Sequence, residues 1–315
     1  MYILGFDIGG TKCAVVTAEA DGDKIQLLKK EQLPTDLSVS PCVMLERLMS
    51  KADSILSKKP EAVGISCGGP LDIKEGLILS PPNLPGWDKV EIVKILRQHY
   101  GCKVCLQNDA NACALAEWKY GAGKGTVNMI FLTFGTGIGA GLILGGRLYT
   151  GANGNAGEIG HMRLESSGPV GYGKKGSFEG FCSGGGISQL GYSLALEKLK
   201  KGSCPLYFSE NMTQKDVTAS AVADAAKKGD ETALEVFRIC GESLGKGLSV
   251  LVDVLNPDMI VLGGIFPRCK ELLLPHMKKV LSEESLPFSL EKCKIVPAFL
   301  GENIGDYGAL SAVLM

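Results

Sequence analysis

The stretch YILGFDIGGTKCAVVTAEADGDKIQLLKKEQL, residues 2–33, is composed as three β-strands with glycine turns between them: β-branched and apolar residues cluster, and Asp21-Gly22-Asp23 interrupts them. Asp7 stands at a strand end and is followed by Gly9, Gly10, Thr11 and Lys12. Glycines let backbone N–H groups approach a phosphate, so this turn suits an anion, and Asp7 could hold Mg2+ directly or through water. A plain hairpin with a glycine turn carries the same pattern. The Walker spacing GxxxxGK[ST] is absent. Residues 127–151, VNMIFLTFGTGIGAGLILGGRLYTG, repeat the plan of strand, glycine turn and returning strand. Gly135-Thr136-Gly137-Ile138-Gly139-Ala140 satisfies GxGxxA, but the strand-like GLILGG follows where a dinucleotide site needs a helix. Two such hairpins, one in each half, could grip a nucleotide's phosphates from both sides of a cleft.

Outward from these hairpins the chain alternates between strands and helices. Ser40 is placed to cap a helix with Pro41 at its first position, and Leu45, Leu48, Met49, Ala52, Ile55 and Leu56 recur at helical spacing. AVGISC, residues 62–67, is a short buried strand, and the Pro- and Gly-rich LSPPNLPGWD is a loop. Asp88 with Glu91 resembles a capping box opening the helix DKVEIVKILRQHY. The strand KVCLQ runs directly into the helix DANACALAEWKYG, which places Asp109 either as an N-cap or as a reactive carboxylate. After an irregular stretch from Gly151 to Gly186 the remainder is mainly helical, broken by the strands PDMIVLGG and KIVPAF. The expected organisation is a smaller N-terminal α/β lobe, residues 1–118, with a C-terminal helix at about 302–315 returning to it, and a larger α/β lobe, residues 119–301.

Bulk composition narrows the function. A chain of 315 residues is long enough for two cores, and 45% apolar residues can fill them. With 33 basic and 34 acidic side chains there is no global field to draw in nucleic acid or an anionic membrane. No apolar run approaches the roughly 20 residues a membrane helix needs, and the opening is unlike a signal peptide, so a cytoplasmic protein is expected. The 11 cysteines are scattered through apolar stretches and read as buried, reduced thiols. Cys102 and Cys105 have an odd offset in a strand and should face opposite ways.

The segments DIGGTK, SPPNLPGW, NDANACALAE, FGTGIGAGLILGGRLYTG, GEIGH and NPDMIVLGG occur in the order found in the ROK family of sugar kinases and sugar-responsive repressors, which this chain resembles over nearly its whole length. The resemblance implies an α/β, two-lobed actin-like ATPase fold of the ribonuclease H-like, hexokinase type. It implies transfer of the ATP γ-phosphoryl group to a hexose, first of all glucose at its 6-hydroxyl. N-acetylmannosamine, N-acetylglucosamine, fructose, mannose and allose stay open. By the same likeness Asp109 is the general base. Asn83, Asn108, Glu158, His161 and Glu179 hold the sugar. Asp7, Gly9, Gly10, Thr11, Lys12, Gly135, Thr136, Gly137, Gly263 and Gly264 bind the nucleotide, with Asp7 the Mg2+ site; a homodimer is the family expectation.

One departure stands out. The family usually follows GEIGH with CxCGxxGCxE, whose cysteines join the histidine around a structural zinc. Here the aligned stretch, Val170 to Glu179, has Val170, Tyr172 and Ser177 at those positions, so no zinc is expected. Hydrogen bonds or packing, with Phe178 and Phe181 as candidates, must then orient His161 and Glu179. A DNA-binding domain would precede the DIGGTK motif, where only six residues stand, so no nucleic-acid partner is expected. A sugar-binding regulator without catalysis, and an actin-like ATPase acting on acetate, polyphosphate or water, are the competing readings.

Overall fold

A computed structural model describes residues 1–314; Met315, the last residue of the expected returning helix, lies outside the described residues. In chain order the first elements are β1 (Tyr2–Ile8), β2 (Lys12–Asp21), β3 (Lys24–Pro34), α1 (Pro41–Ile55) and β4 (Ala62–Cys67). The short strands β5 (Leu71–Asp72) and β6 (Leu77–Ile78), then α2 (Ile92–Tyr100), β7 (Lys103–Asn108) and α3 (Asp109–Tyr120), complete the N-terminal part. They build a sheet of order β3-β2-β1-β4-β7, antiparallel in the opening meander and parallel from β1 through β4 to β7.

The second half carries β8 (Met129–Phe134), β9 (Ile138–Leu144), β10 (Arg147–Tyr149), the small hairpin β11 (Val170–Gly171) and β12 (Lys174–Lys175), α4 (Phe178–Phe181), α5 (Gly184–Lys200), α6 (Ala219–Lys227), α7 (Glu231–Leu255), β13 (Met259–Leu262), α8 (Ile265–Glu284), α9 (Pro287–Lys292), β14 (Lys294–Pro297) and α10 (Ile304–Ser311). Its sheet has the order β10-β9-β8-β13-β14, with β13 parallel to both β8 and β14. The repeat seen in the glycine hairpins therefore extends to the whole sheet: three meander strands, then two added parallel strands.

The chain separates into two compact units. One holds Met1–Val127, Gly141–Ala156 and the residues from Phe299 onward; the other holds Asn128–Ala140 and Gly157–Ala298. The segment Gly141–Ala156 thus differs from the expected 119–301 lobe and belongs with the N-terminal residues. Its anchor is Gly141, so close to α3 that a Cβ there would lie 2.4 Å from the Ala114 Cβ and 2.5 Å from the Ala110 carbonyl.

In the first unit the two-residue period of β1 sends Leu4, Phe6 and Ile8 to one face, where they join Leu45, Leu48, Val63, Ile65 and Leu96 in the larger core. Ile3, Val16 and Ala18 go to the other face with Leu310 and Val313 of the C-terminal segment. That face accepts α10 at very short range: a Cβ on Gly64 would stand 1.9 Å from the Ala309 carbonyl oxygen. Asp7 shares this second face by its odd position in the strand.

Three local expectations are corrected. The helix α2 begins at Ile92, not Asp88; Glu91 makes no side-chain cap and pairs with Lys94 at 2.7 Å, while Val90 bridges Ile78 and so keeps residues 88–90 out of the helix. The irregular stretch before Gly186 contains the β11–β12 hairpin and α4. All 11 cysteines are free, but Cys42 and Cys204 are exposed rather than buried, and Cys102 precedes β7 rather than lying in it.

Candidate functional site

In the first unit the DIGGTK turn is a closed structure. Gly9 N–H donates to the Lys12 carbonyl at 3.2 Å, Thr35 N–H to the Thr11 carbonyl at 3.0 Å, and the Thr35 hydroxyl to the Gly9 carbonyl at 2.6 Å. Thr35 was missed in the sequence because it follows β3 in an unremarkable position. Thr11 and Lys12 are exposed on the turn. Asn83, at the tip of the SPPN loop, is brought against this turn: a Cβ on Gly10 would be 2.5 Å from both its Cβ and its carbonyl oxygen.

Asp109 is the first residue of α3, and the N-cap is Asn108, whose Oδ1 accepts from Ala110 N–H at 3.0 Å and Asn111 N–H at 3.4 Å. The alternative of Asp109 as the cap is therefore corrected by one residue. With the cap supplied by its neighbour, the Asp109 carboxylate is freed from that role, although its Oδ1 also accepts from Ala110 N–H at 2.8 Å. Gly68 and Gly69 leave the space beside the pair open: a Cβ on either would meet only Asp109 Oδ2 at 3.9 Å or Asn108 Nδ2 at 3.5 Å.

The electrostatics of this unit are dominated by carboxylates. Burial, then repulsion from Asp306 and Asp109, pushes the Asp7 pKa up to about 6, against the pull of Lys30 and Lys12. Such a site favours a cation, which would relieve the repulsion, so the residues fit Mg2+ at Asp7. Dense packing around Asp109 pushes its pKa up as well, offset by hydrogen bonds from the backbone and Asn108. The side chain nevertheless keeps an exposed face.

In the second unit the GEIGH segment, the second glycine turn and Glu179 converge. Gly135 N–H donates to the Gly137 carbonyl at 2.9 Å, which closes the turn and leaves Thr136 exposed at its tip. Glu179 Oε2 accepts from Ile138 N–H at 3.2 Å, and a Cβ on Gly137 would lie 2.5 Å from the same oxygen. Glu179, assigned to sugar by resemblance, is thus also a brace for the glycine turn. Gly264, at φ +63°, approaches the Phe134 carbonyl so closely that a Cβ would be 2.0 Å from it, and Gly263 packs on Phe131. These glycines let the β13–α8 turn meet the strand end before Gly135. Glu158 is exposed and His161 half-buried in one short helical turn.

The stretch that replaces the zinc loop has its own supports. Gly171-Tyr172-Gly173-Lys174 is a tight hairpin with positive φ at Tyr172 (43°) and Gly173 (77°). Lys174 Nζ donates to the His161 carbonyl at 2.6 Å, and the Tyr172 ring meets the His161 ring edge-on at 5.1 Å. Ser177 caps α4, accepting from Gly180 N–H at 3.1 Å, and donates to the Gly171 carbonyl at 3.4 Å. Phe178 is fully buried against Gly247, and Phe181 packs on Gly168. Lys174 carried no signal in the sequence beyond its charge. Among the described residues no three His, Cys, Asp or Glu side chains are grouped to hold a metal ion, and no helix is long and apolar enough to cross a membrane.

Comparison with known proteins gives this geometry its context. Residues 3–315 match the model of the ROK family. A glucokinase of Thermotoga maritima is 31% identical over 318 residues, covering 99% of this chain and 97% of that protein. The solved structure of a ROK family glucokinase from Streptomyces griseus in complex with glucose and AMPPNP superposes with a TM-score of 0.78 at 28% identity, over 98% of each chain. A xylose repressor of Caldicellulosiruptor bescii is 27% identical, covering 99% of this chain and 78% of that protein. The α/β architecture with two like-ordered sheets is the actin-like ATPase fold. The agreement in sequence model, relatives and architecture extends from the first strand to the last helix, and the chain belongs to the ROK family.

Proposed function

We propose that this chain, an ATP-dependent sugar kinase, phosphorylates a hexose, with glucose as the sugar and its 6-hydroxyl as the acceptor. The observation that carries the assignment of roles is the placement of Asp109 at the start of α3, uncapped by duty because Asn108 fills the cap, beside the open Gly68-Gly69 backbone and in the same unit as Asp7. In this reading Asp109 accepts the proton of the sugar hydroxyl as its oxygen bonds to the γ-phosphorus and the bond from that phosphorus to the ADP oxygen breaks. A pKa raised toward neutrality makes a carboxylate a better-matched base.

Asn83, Asn108, Glu158, His161 and Glu179 hold the sugar's hydroxyls. The two glycine turns, with Thr11, Lys12 and Thr136, take the phosphates, and Gly263 and Gly264 let adenosine pass the backbone. Mg2+, held by Asp7, would neutralise phosphate charge when bound. A homodimer, a cytoplasmic location and the lack of a zinc or nucleic-acid requirement belong to the same reading. Supporting the last, Val170, Tyr172 and Ser177 are engaged in strand pairing, ring packing and capping, a donor set unsuited to zinc.

The test is ADP production from MgATP with a panel of hexoses and N-acylhexosamines, wild type against Asp109→Asn. Glucose-dependent turnover that falls by about 10²-fold or more in the variant is expected. Preference for another sugar overturns the glucose assignment, and turnover independent of any sugar overturns the acceptor class.

A further inference from the structure

The sequence assigns no role to Lys30 or Asp306, yet they form an ion pair at 2.5 Å in which the Asp306 side chain is only 3% exposed and that of Lys30 34%. The strand register explains how they reach the site. Gly5 of β1 pairs with Val16 of β2, and Val16 pairs with Lys30 of β3, so the three form one cross-strand row on one face of the sheet. Asp7, two residues beyond Gly5, points to that same face. The helix α10 covers it, and its Gly305 stands so close to Asp7 that a Cβ there would be 2.6 Å from Asp7 Oδ2. Asp306 is the next residue. Its carboxylate adds to the repulsion on Asp7, and the Lys30 ammonium opposes it.

A buried carboxylate needs a partner, and Lys30 supplies one. A purely structural tie between an edge strand and a C-terminal helix could use apolar side chains, as the same face does at Val16 and Leu310. Placing a charge of each sign behind Asp7 instead makes the potential at that carboxylate depend on both. We propose that Lys30 and Asp306 are a positioning pair that sets the affinity of the Asp7 site for a divalent cation, Asp306 strengthening it and Lys30 holding it in check. The proposal rests on Asp7 as the cation site of the reading above.

The two single substitutions break the same ion pair but change the charge in opposite directions, which separates electrostatics from structure. Mn2+ alone is titrated into the sugar-free and nucleotide-free enzyme at about pH 8.5, where Asp7 is ionised, and free Mn2+ is followed by electron paramagnetic resonance. Lys30→Met should bind Mn2+ roughly three- to tenfold more tightly and Asp306→Asn weaker by a similar factor, from one unit charge acting on a divalent ion. Lys30→Met with Asp306→Leu should return to within about twofold of wild type, because the two charge changes cancel. The free Mg2+ giving half-maximal turnover should move in the same order.

Single variants that both weaken binding, or that both leave it unchanged, overturn the proposal. So does a wild type that binds no Mn2+ which Asp7→Asn abolishes. The binding arm needs neither sugar nor turnover, so failure of the kinase assay would sink the sugar reading while leaving this result to stand on its own.

Discussion

Glu117, the last residue of the NDANACALAE segment and given no role by the sequence, is a buried carboxylate, and removing it should destabilise the first unit strongly. It is 0% exposed, and its Oε2 accepts from Ala122 N–H and its Oε1 from Leu300 N–H, both at 2.8 Å; Phe299 N–H donates to it as well. Burial pushes its pKa up while these backbone donors pull it down. The donors flank the places where the chain leaves the unit after Val127 and re-enters it at Phe299. Glu117→Ala strands all three N–H groups. Each unsatisfied donor costs about 1–3 kcal/mol when sealed from water, but Ala122 and Leu300 are half-buried and Phe299 exposed, so water recovers part of the loss. The expected net cost is about 3–5 kcal/mol. Glu117→Gln keeps the shape and one carbonyl oxygen but turns an NH2 toward a donor, for a cost of about 2–3 kcal/mol. Urea unfolding followed by circular dichroism, with the slope checked for constancy, measures both. A loss below about 1 kcal/mol for the alanine variant would refute the reasoning, since the three N–H groups would then be satisfied without the carboxylate.

Three further expectations follow from the same geometry. Asp7 has its pKa raised from 3.8 to about 6, so its stability contribution is full below about pH 4 and is lost as pH rises through about 6. Asp7→Asn should therefore stabilise the fold at pH 7.5 by about 1–3 kcal/mol, with the gain vanishing near pH 4, while activity is lost; equal gains at both pH values in denaturation curves would contradict the repulsion. Gly64→Ala must displace α10, because the new Cβ would stand 1.9 Å from the Ala309 carbonyl oxygen. A loss of about 3 kcal/mol or more is expected in thermal unfolding, and an unchanged Tm would mean that α10 shifts freely. Lys174→Met removes the 2.6 Å bond to the His161 carbonyl and should raise the sugar KM about three- to tenfold with little change in kcat. Steady-state kinetics in which kcat falls instead would place Lys174 in the chemistry.

The amino-acid sequence by itself determined what depends on neighbours along the chain. Clustered β-branched and apolar residues in YILGFDI and AVGISC made them strands, Ser40-Pro41 opened α1, and two strand-glycine-strand segments announced the repeated sheet. The same motifs, in order, carried the family resemblance. Local rules reached less far where two residues competed for one role: Asn108 and Asp109 both suit an N-cap, and only the backbone at β7's end gave the cap to Asn108. Asp88 and Glu91 had capping-box spacing, but the bridge from Val90 to Ile78, made by a residue outside the motif, delayed the helix.

What the tertiary structure alone decided are contacts between residues distant in the chain. Lys30 meets Asp306 across 276 positions, and Glu117 meets Leu300 across 183. Glu179 reaches the Ile138 N–H across 41. Gly141–Ala156 joins the first unit because Gly141 packs on α3. A charged side chain in a strand or a helix is, by periodicity, a solvated face. Its burial and its partner follow from which strand lies beside which and which helix covers them, and that information is held in packing between segments rather than in the spacing within any one of them.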